Sequence, residues 1–398
     1  MAEIHRLAAR VVTSNLDCRT VVLGKAIDFI CWPFMAWKQM AKIDAELLTA
    51  AAGHTGRSPR AQKWRSWWFC ARLGVPPEDY FNYALYRPDA AAAVGDYLLQ
   101  RQSLHIYHTL YLTADPAEGR LLVDKAAICD ALESRGIATV VSLAVAQNGR
   151  IDFRHPLDSP AWHGDIVMKP MRGSNGSGFY RWLRDKDGGY TGALGESQTL
   201  EDILTQIRAL SQRRPILIQQ RLLNDDDTAR LTGGGLATVR VVTARHASGR
   251  ITVMAAALKM PVGDALVDNF MRGNVISQID VSSGGMRAGQ SYRQRHATID
   301  CHPDTQALFA GRQVPQWEEI RHLAISTHRH FQSYVLLAFD IAPAPGRPVI
   351  VEINVRGDLS MVQYQGGTPM GRTSYPDVVL SHMREREERG FLEMQCFG

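Results

Sequence analysis

In the first part of the chain apolar positions recur at helical intervals, and beyond about residue 119 they gather into short runs separated by amphipathic stretches. "FMAWKQMAKIDAELLTAAAG", residues 34 to 53, is a run of good helix formers that Gly53 should close, and "DAAAAVGDYLLQRQSL" is a second. Between them Trp64, Trp67 and Trp68 stand three and four apart, which predicts a helix with its tryptophans in the core; a base-stacking surface is the alternative. Farther on, "GRLLVDKAAICDALESRG" reads as one helix stopped by Gly136 and leading into the strand "ATVVSLAVA". "DIVMKP" and "PILIQQRLL" read as further strands. "LATVRVVTARHASGRITVMAAALKM" reads as two β-rich runs turned at "ASG". Residues 316 to 334 form an amphipathic helix pattern, "VLLAFDIA" and "PVIVEINV" make a strand pair across "PAPGRP", and "PDVVLSHMREREERG" closes the chain as a helix. Strands interleaved with helices in this way predict an α/β or α+β architecture.

Composition narrows the class without naming it. At 398 residues, 45% hydrophobic and 21% charged, the chain can bury two or three cores and is not disordered. The longest apolar stretch, 26 to 37, is broken by Asp28 and is far short of the roughly 20 residues of a bilayer span. With no basic region followed by an apolar core at the N-terminus, a cytoplasmic location is expected. Six cysteines without a CxxC pair argue against zinc and disulfide frameworks. The net charge of +5 suits an anionic ligand as well as nucleic acid.

Two stretches carry candidate chemistry. The first is "VMKPMRGSNGSG", where Lys169 ends an apolar run ahead of a glycine-rich loop. Its lysine precedes the glycines, so it is neither a Walker loop nor a GxGxxG turn. A strand-borne ammonium with a flap of free N–H groups still fits phosphate, although such a loop can also be a plain surface turn. The second is "LLAFDIAPAPGRPVIVEIN". Asp340 ends one apolar strand, while Glu352 and Asn354, two apart, share a face of the next. Two carboxylates and an amide oxygen suit magnesium, which prefers oxygen ligands and shares its shell with phosphates. Ordinary strand-end placement would explain Asp340 but fits poorly for Glu352, flanked by Val349, Ile350, Val351 and Ile353. His322, His328 and His330 do not share a helix line and read as solvated or packing residues, not as a zinc site.

In order and spacing, "DK" at 124 to 125, "VMKPMRGSNGSG", "ILIQQRLL", "VRVVT" and "FDIA" followed by "VIVEIN" resemble the ATP-grasp superfamily. "ATVRVVT", "VDNFMRGNVISQIDVSSGGM" at 267 to 286 and "LGVPPEDYFNYALYR" make the sugar-transfer-associated branch the most similar one. The resemblance spans roughly residues 65 to 375. It implies an α+β fold in which two subdomains grip ATP: a mainly helical region over 1–118, a first subdomain over 119–215 and a second over 216–398. By the same resemblance Lys125 and Lys169 contact the α- and β-phosphates. Arg172, Gly173, Ser174, Asn175, Gly176, Ser177 and Gly178 form the flexible loop over the triphosphate. Gln219, Gln220, Arg221 and Leu222 match the hinge that grips adenine, though with glutamines where relatives often carry an acidic residue. Asp226 is the ribose partner by spacing, or a member of a solvated "NDDD" turn. Asp340, Glu352 and Asn354 match the magnesium ligands, and Arg240 the arginine facing the transferred phosphate. Lys169, Arg240 and Arg356 are the catalytic candidates; Asp268, Asn269 and Arg272 lie near the acceptor pocket.

The activity implied is an ADP-forming ligase that joins a carboxylate to an amine through an acyl phosphate, with ATP and Mg2+. A phosphotransferase acting on a hydroxyl and a non-catalytic nucleotide-binding protein are the alternatives. The expected partners are small-molecule carboxylate and amine substrates, with no nucleic acid and no membrane; a homodimer is left open.

Overall fold

The computed structural model describes residues 1, 3–4, 34–41, 43, 45–111, 113–171, 178–192, 194–263, 273–291, 298–355, 359–364 and 367–389. Helices come first: α1 (Ala45–Thr55), α2 (Pro59–Leu73), α3 (Pro77–Asn82), α4 (Pro88–Ala92) and α5 (Gln100–Tyr111). Gly53 does not close α1, which runs on to Thr55 and stops before Gly56 at φ +65. One glycine among alanines costs a helix only about 1 kcal/mol, whereas the positive φ at Gly56 ends it. The tryptophan reading also changes. The helix exists, but α2 buries Gln62, Ser66, Phe69 and Cys70 and leaves Trp64 and Trp68 exposed. Periodicity gives a stripe, and only packing chooses which stripe turns inward. Phe69 wins because it joins Tyr80, Phe81, Tyr83, Tyr86 and Tyr97 in a core that also takes in Ile276 and Tyr364.

The expected single helix from 119 to 136 is broken into α6 (Pro116–Val123) and α7 (Lys125–Glu133). Asp124 is extended, at φ −86 and ψ 104, and its carboxylate accepts hydrogen bonds from the N–H groups of Ala126 and Ala127. An aspartate that caps satisfies amides a continuous helix would bond itself, so it starts a new helix. Gly136, at φ +69, ends the segment as expected.

Two seven-stranded antiparallel sheets follow. The first contains β1 (Ser142–Gln147), β2 (Arg150–Phe153), β3 (Ile166–Pro170), β4 (Tyr180–Arg184), β5 (Tyr190–Thr191), β6 (Ser197–Gln198) and β7 (Ile216–Gln220), in the order β2-β1-β7-β3-β4-β5-β6. Helix α8 (Leu200–Ser211), opened by a Thr199–Asp202 capping box, buries Ile203, Leu204 and Ile207 against Leu143, Met168 and Ile218 of this sheet. Strand β7, assigned by its position in the chain to the second subdomain, instead pairs here between β1 and β3.

Helix α9 (Asp226–Thr232) leads to the second sheet: β8 (Thr238–Arg245), β9 (Ile251–Met260), β10 (Val275–Ile279), β11 (Met286–Ser291), β12 (Thr298–Ile299), β13 (Leu336–Ala342) and β14 (Val349–Asn354). Its order is β12-β11-β10-β9-β8-β13-β14. Both expected hairpins, β8–β9 and β13–β14, are present. One face packs α10 (Trp317–His328), together with Leu122, Ile128 and Leu132 of α6 and α7, onto Val239, Val241, Leu258 and Phe339. The other face meets α5 and α11 (Tyr375–Glu388) through Tyr107, Leu110, Tyr375, Val378 and Met383. Toward β10 that face meets the N-terminal aromatic core through Ile276.

Candidate active site

The site begins with strand register. Arg240 on β8 lies directly across from Asp340 on β13, and Asp340 directly across from Glu352 on β14. Side chains alternate, so Asn354 falls on the same face two residues beyond Glu352. Thr238, two residues before Arg240, pairs with Lys259 on β9, which brings a second cation to that face. Four adjacent strands thus supply Lys259, Arg240, Asp340, Glu352 and Asn354.

Asp340 is the hub. Its Oδ1 accepts from Arg240 Nε at 2.7 Å and lies 3.1 Å from Lys259 Nζ, while Oδ2 accepts from Arg240 Nη2 at 3.0 Å. All three side chains are buried. Burial alone would raise the Asp340 carboxyl, but the Arg240 guanidinium and the Lys259 ammonium outweigh it and hold the group well below the usual carboxylate range. The carboxylate therefore stays ionised and fixes both cations.

Lys125 and Lys169 arrive from the other side. Lys125 is the first residue of α7, set there by the Asp124 cap, and its Nζ lies 3.3 Å from Glu352 Oε1. Lys169 stands on β3 within electrostatic range of Glu352, Cys129 and Lys125. Burial lowers its pKa, Lys125 lowers it further, and Glu352 and Cys129 pull it back. The two sheets thus meet at one cluster of four cations (Lys125, Lys169, Arg240, Lys259) and two carboxylates (Asp340, Glu352).

The remaining expected residues divide into four groups. Gln219 is buried, with Nε2 donating to Ser142 Oγ at 3.3 Å. Gln220 Nε2 donates to the Ala161 carbonyl at 2.6 Å, and Arg221 pairs with Asp165 at 2.8 Å. These three side chains brace the segment leaving β7, and Leu222 beyond them is partly buried. Asp226 is exposed in the first turn of α9, where the helix dipole accounts for an acidic residue; Asp225 is the cap. Gly178 takes a positive φ of 76, which suits the end of a glycine loop. Arg172, Gly173, Ser174, Asn175, Gly176, Ser177, Asp268, Asn269, Arg272 and Arg356 lie outside the described residues.

Lys259 was missed in the sequence although its signal was there: it is a lone charge ending the apolar run "ITVMAAALKM", just as Lys169 ends "IVMKP". No third carboxylate, histidine or cysteine joins Asp340 and Glu352 among the described residues. The magnesium candidate set is therefore two carboxylates and an amide. That set fits a hard cation. Asn354 Nδ2 is buried with no hydrogen-bond partner among the described residues, so nothing there fixes the amide through its nitrogen, and Asp340 Oδ2 accepts a single hydrogen bond. His328 is a packing residue: its ring bridges Thr243 Oγ1 at 2.6 Å and the Tyr334 carbonyl at 3.0 Å in the core.

Two gripping α+β units with lysines facing carboxylates across their junction define an ATP-grasp protein. The chain belongs to the sugar-transfer associated ATP-grasp family, whose profile matches residues 108–373. Among solved structures, similar folds include D-alanine–D-alanine ligase from Bacillus anthracis complexed with ATP. It is 12% identical over 70% of this chain and 71% of that one, at a TM-score of 0.38. Another is the ATP-grasp ligase PsnB complexed with a minimal precursor, Mg and ADP, 13% identical over 76% of this chain and 74% of that one, also at 0.38. N5-carboxyaminoimidazole ribonucleotide synthetase from Thermotoga maritima is 11% identical over 66% and 49%, at 0.36. No curated protein matches the sequence. Among the described residues no helix is long and apolar enough to cross a membrane.

Proposed function

We propose that the protein is an ATP-dependent ligase that joins a carboxylate to an amine and releases ADP and phosphate. The observation that carries this reading is the convergence of Lys125, Lys169, Arg240 and Lys259, from α7, β3, β8 and β9, on the strand face that bears Asp340, Glu352 and Asn354. Cations gathered on one site make charge-assisted hydrogen bonds to phosphate oxygens, and a nucleotide triphosphate supplies those oxygens. Glu352 and Asn354, with Asp340 Oδ2 beside them, would hold magnesium, which when bound offsets phosphate charge.

The chain's own groups account for the rest. Asp340 orients Arg240 and Lys259 before any ligand arrives, so neither must reorganise as negative charge develops on the transferred group. Burial lowers the Lys169 pKa, and a phosphate beside it would favour the charged ammonium. In the reaction a substrate carboxylate oxygen attacks the terminal phosphorus and ADP departs, leaving an acyl phosphate. An amine nitrogen then attacks the acyl carbon, phosphate leaves, and the nitrogen loses a proton to give the amide.

The test is a screen of acids and amines for ADP and phosphate release, with mass detection of products. Equal ADP and phosphate, with a product lighter by one water than the two substrates combined, is the expected result. ADP without phosphate, alongside a phosphorylated product, would replace the ligase with a phosphotransferase acting on a hydroxyl. Nucleotide binding with no turnover for any pair would leave only the nucleotide-binding role.

A further inference from the structure

We infer that the exposed face of α2 docks the protein on an anionic lipid surface. Arg60, Trp64, Trp68 and Arg72 follow one another at steps of four, which on a helix makes a single ridge, and all four are exposed. Trp64 is 59% and Trp68 49% exposed. The neighbouring helical stretch at 34–40 adds to the same surface, because the Trp37 ring packs 5.8 Å from that of Trp64 and Lys63 Nζ sits 5.4 Å over Trp37. Phe34, 71% exposed, and Met35 lie beside Trp37, and Leu73 ends α2 with its side chain in solvent. An apolar group of this extent on a soluble surface marks an interaction site.

Charge identifies the partner. Residues 47–77 contain Arg57, Arg60, Lys63, Arg65 and Arg72 and no acidic residue. Among the described residues no carboxylate forms an ion pair with Arg57, Arg60, Lys63 or Arg72. Tryptophan rings ringed by basic side chains are the composition of a helix that lies in a membrane interface, with its rings at headgroup level and its cations on anionic lipid. The geometry disfavours the other occupants. Trp64 and Trp67 meet edge to face at 83°, so they offer no parallel platform for stacked bases, and Met35 and Leu73 have no ring to stack. A symmetric second copy would set Arg57, Arg60, Lys63 and Arg72 against like charges. This surface departs from the sequence-based expectation of no membrane partner, and it requires no membrane span. It also does not depend on the chemistry of the cleft. The opposite face of α2 inserts Phe69 into the core that holds Ile276 of the second sheet, so docking would fix the orientation of the whole cleft.

The full chain should co-sediment with vesicles of phosphatidylcholine containing phosphatidylglycerol, not with phosphatidylcholine alone, and salt should release it. Arg60→Gln and Arg72→Gln should each lower the partition coefficient roughly fivefold. Trp64→Ser combined with Trp68→Ser should lower it on the order of tenfold or more, because two interfacial rings are lost. Thermal unfolding of each variant should match the parent, since the residues are exposed. Equal binding to both vesicle types, no binding to either, or full binding by the double tryptophan variant overturns the proposal. So does light scattering that shows a dimer dissolved by Trp64→Ser, or retention of a single-stranded oligonucleotide without retention on vesicles.

Discussion

Glu352 sits between two roles that other residues hold separately: it neutralises Lys125 at 3.3 Å, and it shares the face of Asp340 and Asn354. Glu352→Gln keeps the volume and removes the charge, so turnover should be lost while the circular dichroism spectrum is unchanged. Asn354→Ala should act in the same direction and less severely. Rates close to the parent for both at saturating magnesium would reduce the pair to a structural feature. Asp340 is different in kind, because it lies between two buried cations. Asp340→Asn should lower stability by roughly 3–5 kcal/mol, the cost of breaking a buried ion pair by removing one partner, measurable by urea unfolding. Lys259 shows how close the sequence came to a complete set. A lone lysine in an apolar strand was the signal that singled out Lys169, and the same signal at Lys259 was legible. What could not be read was its partner, since the register that sets Lys259 beside Asp340 joins strands about 80 residues apart in sequence.

At the scale of elements, α10 shows how a helix is locked to the second sheet by one polar side chain. His328 has a burial-lowered pKa of about 4 against 6.5, an effect that the Tyr334 carbonyl partly offsets and Arg245 reinforces. Its folded pKa is depressed, so the unfolded chain binds the extra proton between those values. The neutral ring's contribution is therefore complete above pH 6.5 and lost as pH falls toward 4, up to about 3 kcal/mol in all. Urea unfolding of the parent and of His328→Phe across that range should differ in slope by close to one proton, and parallel curves would contradict this account. The hairpins β8–β9 and β13–β14 were readable because apolar runs flanking "ASG" and "PAPGRP" leave few other pairings. The break between α6 and α7 was not readable from periodicity, since Asp124 interrupts the helix through its own side chain, and the apolar pattern runs on across it.

Across the whole molecule, the junction of the two sheets should bind nucleotide as a unit. Magnesium-ATP should raise the unfolding free energy by roughly 2.7 kcal/mol at a hundredfold excess over its dissociation constant, read as a thermal shift. Lys125→Ala and Lys169→Ala should each weaken that shift, because the two lysines enter the same cluster from α7 and from β3. No stabilisation by any purine nucleotide would remove the basis of the cleft's assignment. The sequence by itself determined the strands, both hairpins and the identity of most charged groups, because strand alternation and lone charges in apolar runs are short-range properties. It also carried enough ordered motifs to indicate the family. Tertiary structure alone decided three things: that β7 belongs to the first sheet, that Asp340 is shared by Arg240 and Lys259, and that Trp64 and Trp68 face outward. The reason is common to all three. Each depends on which of several compatible faces or edges a distant segment occupies, and that choice is made by burial summed over the whole core, to which no single stretch of the chain has access.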